Sequence, residues 1–138
     1  MKSRLALLLL LTMFFGPVHM LGQSDTWTDP ATRLMWATQD NGSDVDWNQA
    51  GNYCSALRLA GHANWRLATI EELEGLYDPT QDVNGYYIKG GIRVSGVVWS
   101  SSDRESGEAW GINFKDGQRT SVPTDFNFRT RALCVRRF

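Results

Sequence analysis

Six cations in the second half of the sequence could act as a group: Arg93, Arg104, Lys115, Arg119, Arg129 and Arg131. A guanidinium presents paired N–H donors at the spacing of two carboxylate or sulfate oxygens, so arginines gathered on one face bind such anions. The segment from Lys89 to Phe138 holds nine Lys and Arg against five acids, a balance of about +4. Residues 25–82 hold ten acids against Arg33, Arg58 and Arg66, about −7. A chain of mild net charge can carry a basic face in this way. The plainer reading is ordinary solvated charge, partly paired with the acidic half. Trp99, beside Ser100-Ser101-Ser102, and the pair Tyr86-Tyr87 add rings able to stack on sugars. The other tryptophans sit on periodic faces and read as core.

Catalytic patterns are thin. His62 follows Gly61 at the end of a helical stretch, where it reads as a cap or surface residue rather than a base. No Ser-His-Asp constellation or nucleophile elbow is visible. Glu71-Glu72 and Asp103-x-Glu105 are acidic pairs, but paired-carboxylate chemistry needs a pocket around them. Arg66 and Glu72 come close once a helix starts at Thr69, which favours a structural ion pair. No His/Cys cluster has metal-ligand spacing, and no cofactor is expected. Cys54 and Cys134, without a Cys-x-x-Cys motif, read as one structural disulfide if the compartment is oxidising. It would close a loop of about 80 residues, worth roughly 4.5 kcal/mol of chain entropy.

Several elements must position these groups. Asp29-Pro30-Ala31-Thr32 is a turn between short strands at Thr26-Trp27-Thr28 and Arg33-Leu34-Met35-Trp36. Trp47, Ala50, Cys54 and Leu57 form one apolar stripe, predicting a helix from Trp47 to about Leu59 with Asp46 as N-cap and Gly61 ending it. Thr69 and Glu72 form a capping box for a second helix, with Ile70, Leu73, Leu76 and Tyr77 facing inward and Asp78-Pro79 stopping it. Thr80 to Gly96 reads as a long ordered loop with room for one strand. Strands follow at Val97 to Ser102, around Trp110, Ile112 and Phe114, at Gln118 to Val122 after Asp116-Gly117, and at Ala132 to Arg137. Two helices followed by antiparallel strands make an α+β chain.

The compartment is read from the start of the sequence. Lys2 and Arg4 precede an apolar run from Leu5 to Phe15, then Gly16-Pro17, the layout of a secretory signal over residues 1–22. The run is shorter than the roughly 20 residues a bilayer span requires. Gly22 suits the position before cleavage, and no cysteine near it offers a lipid anchor. The rest, residues 23–138, is a single domain of roughly 116 residues with a net charge of about −3. That balance excludes a generally basic nucleic-acid binder, and the expected product is released to the periplasm or beyond.

The residues also match a known pattern. Asp29-x-x-Thr32-x-Leu34-Met35-Trp36 is followed by Trp47-x-x-Ala50-x-x-Tyr53-Cys54 and by Leu59-Ala60-Gly61-His62-x-x-Trp65-Arg66-Leu67. Thr69-x-x-Glu72-Leu73-x-x-Leu76, Trp99-Ser100-Ser101, Ala109-Trp110-x-x-Asn113-Phe114-x-x-Gly117 and Cys134-Val135-Arg136 complete it. From about Trp27 to Arg137 the chain resembles the C-terminal domain of the Legionella collagen-like protein. Two positions depart from that pattern: Arg33 stands where glycine is usual, and Ala68 where proline is usual. The collagen-type Gly-x-y repeats that name the family are absent from the sequence.

The resemblance implies a C-type-lectin-like fold, two helices packed on a twisted antiparallel sheet with a long loop region. It also implies envelope or extracellular binding, because the name-giving protein is an adhesin for sulfated polysaccharides. The calcium-site motifs of lectins, Glu-Pro-Asn and Trp-Asn-Asp, do not occur here. The expectation is therefore a secreted, non-enzymatic binding or adhesion module for an anionic glycan or envelope component. A protein-interaction module contacting its partner through residues 80–96 is the alternative, and a hydrolase using the acidic pairs stands behind both.

Overall fold

The computed structural model describes residues 24–138, so the expected signal over residues 1–22 lies outside the described residues. Among the described residues no helix is long and apolar enough to cross a membrane. The chain is mixed α+β, built mostly from antiparallel strands. Strands β1 (Thr26–Asp29) and β2 (Leu34–Ala37) form the expected hairpin. Helix α1 (Trp47–Ala56), strand β3 (Arg66–Leu67) and helix α2 (Ile70–Glu74) follow. Then come β4 (Tyr77–Val83), β5 (Tyr86–Ile88), β6 (Val97–Arg104), β7 (Glu108–Asn113), β8 (Gln118–Pro123), β9 (Thr130–Arg131) and β10 (Cys134–Arg137).

They assemble as a four-stranded sheet in the order β1-β2-β10-β3, a β4-β5 hairpin and a second four-stranded sheet in the order β8-β7-β6-β9. Strand alternation divides the core in two. Leu34, Trp36, Val135, Val98 and Ile112 enter one cluster, with Ile70 and Leu73 of α2 packed into it. Ala37, Cys134, Trp99 and Ala109 enter the other, with Ala50 and Cys54 of α1. Both large sheets therefore bury side chains on both faces. The Cys54–Cys134 disulfide lies in the second cluster and joins α1 to β10.

Both helix starts are fixed by their side chains. Asp46 caps α1 by accepting from Gln49 N, and the Gln49 side chain returns a bond to Asp46 N. Thr69 and Glu72 form the reciprocal box on α2. The helix ends differ from expectation. Helix α1 stops at Ala56 because Leu57 turns extended, and Leu59 to His62 form a separate tight turn with Ala60 and Gly61 at positive φ. Gly61 therefore serves that turn rather than the helix. Helix α2 ends at Gly75, and Asp78-Pro79 fall inside β4, where an edge strand tolerates a missing N–H.

Residues 80–96 are not one loop. Asn84 and Gly85, both at positive φ, close the β4–β5 hairpin, the Asn-Gly signal for a two-residue turn. Strand β9, which pairs parallel with β6, has no counterpart in the sequence-based expectation.

Candidate functional site

The six candidate cations do not line a single surface cleft. Lys115, Arg129 and Arg131 gather at one cleft of about 340 Å³, together with Tyr86, Asn113 and Ser95. Three elements put them there. Tyr86 comes from β5, and Lys115 from the turn after β7, where its N–H donates to Asn113 Oδ1 at 3.0 Å. Arg129 and Arg131 flank Thr130 on β9, which is held against β6 by Val97 N donating to Arg129 O at 2.9 Å. A Cβ on Gly96 would lie 2.3 Å from that carbonyl oxygen, so only glycine allows β9 to approach so closely.

The acidic loop between β2 and α1 anchors β9 from the other side. Thr130 Oγ1 donates to Val45 O at 2.7 Å, and Arg129 N donates to Asp44 Oδ1 at 2.9 Å. Arg131 pairs with Asp44 through Nη1 and donates from Nε to Ser95 Oγ at 2.8 Å. Ser95 donates in turn to Asp40 from both its N–H and its hydroxyl. With only 13 % of its side chain exposed, Arg131 is a structural cation whose charge is met by Asp44.

Lys115 and Arg129 are placed differently. Lys115 Nζ lies 5.5 Å from the Tyr86 ring centre, and the Arg129 guanidinium lies 5.3 Å from the Phe128 ring centre. Each gains the attraction of a ring quadrupole. Among the described residues, neither has a carboxylate within ion-pairing distance.

The remaining candidates lie outside the cleft lining. Arg104 and Arg119 pack over Trp110, at 4.3 and 5.2 Å from its ring centre. Arg119 also pairs with Glu74, whose hydrogen bonds raise its already high pKa. Arg93 joins the chain at Gln39 through a parallel bridge, with its N–H donating to Thr38 O at 2.9 Å. Tyr87 is half-buried in β5, and its N–H donates to Phe114 O at 2.8 Å. Trp99 is a correction: it is fully buried, and its indole N–H donates to Val45 O at 2.8 Å, so no ring face is open to a sugar.

Arg66 and Glu72 form a bidentate pair, Nη1 to Oε1 at 2.7 Å and Nη2 to Oε2 at 3.0 Å. The Arg66 bonds hold the Glu72 carboxyl below its ordinary range, and the Thr69 N–H adds to this. Both groups thus serve the α2 cap. Among the described residues no three His, Cys, Asp or Glu side chains are grouped to hold a metal ion.

Ser95 and Gly96 were not singled out from the sequence. The one signal that could have found them is the Ser-Gly pair just before a β-branched strand, which marks a close backbone approach. Residues 25–136 match the family model described as the Lcl C-terminal domain. No curated protein matches the chain.

Proposed function

The chain belongs to the Lcl C-terminal domain family, and from that premise we propose that it is a secreted, non-enzymatic binding module of C-type-lectin-like fold. Its ligand is an anionic glycan or another acidic envelope component, held at the cleft between Lys115 and Arg129. One observation carries this reading: two cations supported by aromatic rings line one cleft, with no carboxylate partner among the described residues. An incoming sulfate or carboxylate gains both charges without first breaking an ion pair, and the Arg129 fork suits two of its oxygens. Tyr86 offers a ring beside them, and the volume is near the lower bound for small-ligand sites, about 300 Å³. The signal-like leader and the disulfide favour an oxidising destination outside the cytoplasm.

The experiment is retention of the mature, oxidised protein on a sulfated-glycan column across a salt gradient. Exposed charge contacts are screened as salt rises. The wild type should elute at moderate salt, a Lys115→Ala/Arg129→Ala variant near the void, and Arg104→Ala with the wild type. Flow-through of the wild type at low salt defeats the reading. A second reading, a protein-interaction module, is favoured by Phe126 and Phe128, exposed by 43 % and 62 % beside the edge strand β8. Capture of an envelope protein that is lost in Phe126→Ser/Phe128→Ser and insensitive to glycan would favour it.

A further inference from the structure

We propose that the cavity between the β1–β2 turn, α2 and the end of β10 is a second binding site, for a small ligand with an apolar body and a single negative charge. The cavity measures about 570 Å³, larger than the cationic cleft. Three observations of different kinds meet there.

The first is an unmet donor. Trp36 belongs to the cavity lining and is 1 % exposed, yet its indole Nε1 has no acceptor among the described residues. Buried donors in folded proteins are nearly always satisfied, and an unsatisfied one calls for a partner. We assign that acceptor to an oxygen of a ligand seated against Trp36.

The second is a pair of available cations. Arg33 precedes Leu34, and Leu34 pairs in register with Arg137, so both guanidinium groups start from the same end of the sheet and both residues line the cavity. Among the described residues neither has a carboxylate within ion-pairing distance. The third is backbone strain at the same spot. Arg33 holds a φ of 58°, the left-handed region that favours glycine. Strain of this kind collects where a side chain is needed in place for a ligand.

The walls define the ligand class. Leu34, Trp36 and Leu76 make an apolar lining, with the half-exposed Phe138 ring beside them. Glu71, Asp29 and Glu72 share these walls, and Glu72 is already paired with Arg66. A polyanion is repelled by them, whereas one carboxylate can sit at the Arg33–Arg137 end with its apolar body against the leucines. This site is thus chemically distinct from the Lys115–Arg129 cleft and does not rest on the reading given for it.

The test titrates ¹⁵N-labelled mature protein with 3-phenylpropionate and follows the six tryptophan indole resonances. The Trp36 resonance is assigned by its disappearance in Trp36→Phe. If that variant does not fold, triple-resonance assignment carried from the Trp36 backbone to its indole assigns it. Saturable movement of the Trp36 line at millimolar probe is expected, with the other indoles still. Loss of one charge-assisted contact should weaken binding about tenfold or more, both in Arg33→Gly and for the neutral 3-phenylpropionamide. Arg33→Gly relieves the strained turn, so misfolding is not a competing cause of its weaker binding. A Trp36 line that stays fixed throughout, as when a bound water alone meets the N–H, overturns the proposal. Equal affinity for the acid and the amide, or for wild type and Arg33→Gly, does so as well.

Discussion

Replacing Arg33 with glycine should stabilise this protein, although it removes a long side chain from a folded turn. Arg33 sits at φ 58°, with its N–H donating to Asp29 O at 2.9 Å across the β1–β2 turn. An L-residue in that region is about 1–2 kcal/mol above glycine because its Cβ crowds the following carbonyl. Glycine returns about 0.4–1 kcal/mol of this, since it is freer in the unfolded chain. The side chain is exposed and makes no ion pair, and glycine keeps the N–H, so little else changes. The net gain is about 0.5–1 kcal/mol. With an unfolding entropy of about 2.1 cal/mol/K per residue over roughly 115 residues, that raises Tm by about 2–4 °C. Scanning calorimetry of wild type, Arg33→Gly and Arg33→Ala decides it. Alanine keeps the Cβ, so it should show no gain. A glycine variant that melts at or below the wild type, or an alanine variant that gains as much, refutes the argument from the backbone.

Other consequences follow from the same geometry. Removing the disulfide as Cys54→Ala/Cys134→Ala should lower stability by about 4.5 kcal/mol, the loop-closure value for an 80-residue separation; a urea midpoint showing less than about 1 kcal/mol would contradict it. Gly96→Ala sets a methyl 2.3 Å from Arg129 O, so β9 must shift, at a cost of about 1–3 kcal/mol. Gly51→Ala meets nothing within 4 Å and should instead stabilise α1 by about 0.5–1 kcal/mol, which makes the pair a matched urea-melt comparison. Because the Arg66 bonds lower the folded pKa of Glu72, their stabilisation is present above the ordinary carboxyl value of about 4.3 and is lost as pH falls through the lower folded value. Glu72→Gln should flatten stability against pH across that acid range; an unchanged slope in urea midpoints would show that Glu72 contributes nothing there.

What the sequence revealed was mostly local. The caps at Asp46 and Thr69, the β1–β2 turn and the cysteine pair each rest on residues within a few positions or on one chemical option, and all appear in the fold. The β4–β5 hairpin was missed although Asn84-Gly85 signals it, because the polar residues of β4 carry no alternation in a strand that is largely exposed. Strand β9 could not be read, since two residues have no period and its partner β6 lies over thirty positions earlier. The cleft was half legible. Charge balance pointed to six cations without separating Lys115, Arg129 and Arg131 from the rest, and only the fold shows that Asp44 neutralises one of these three while rings support the other two. Trp99 misled because β-strand position gives no sign of which face is covered when both are.

Strand β10 sits in the middle of its sheet, paired with β2 on one side and β3 on the other. Its contact Val135–Trp36 spans about a hundred residues, and loop closure over that distance precedes any reward from packing. As the chain emerges from a ribosome, the second edge of β2 therefore waits unpaired until residues 134–137 arrive. The same delay leaves Cys54 a free thiol until its partner is made, so the disulfide records that folding has reached its end.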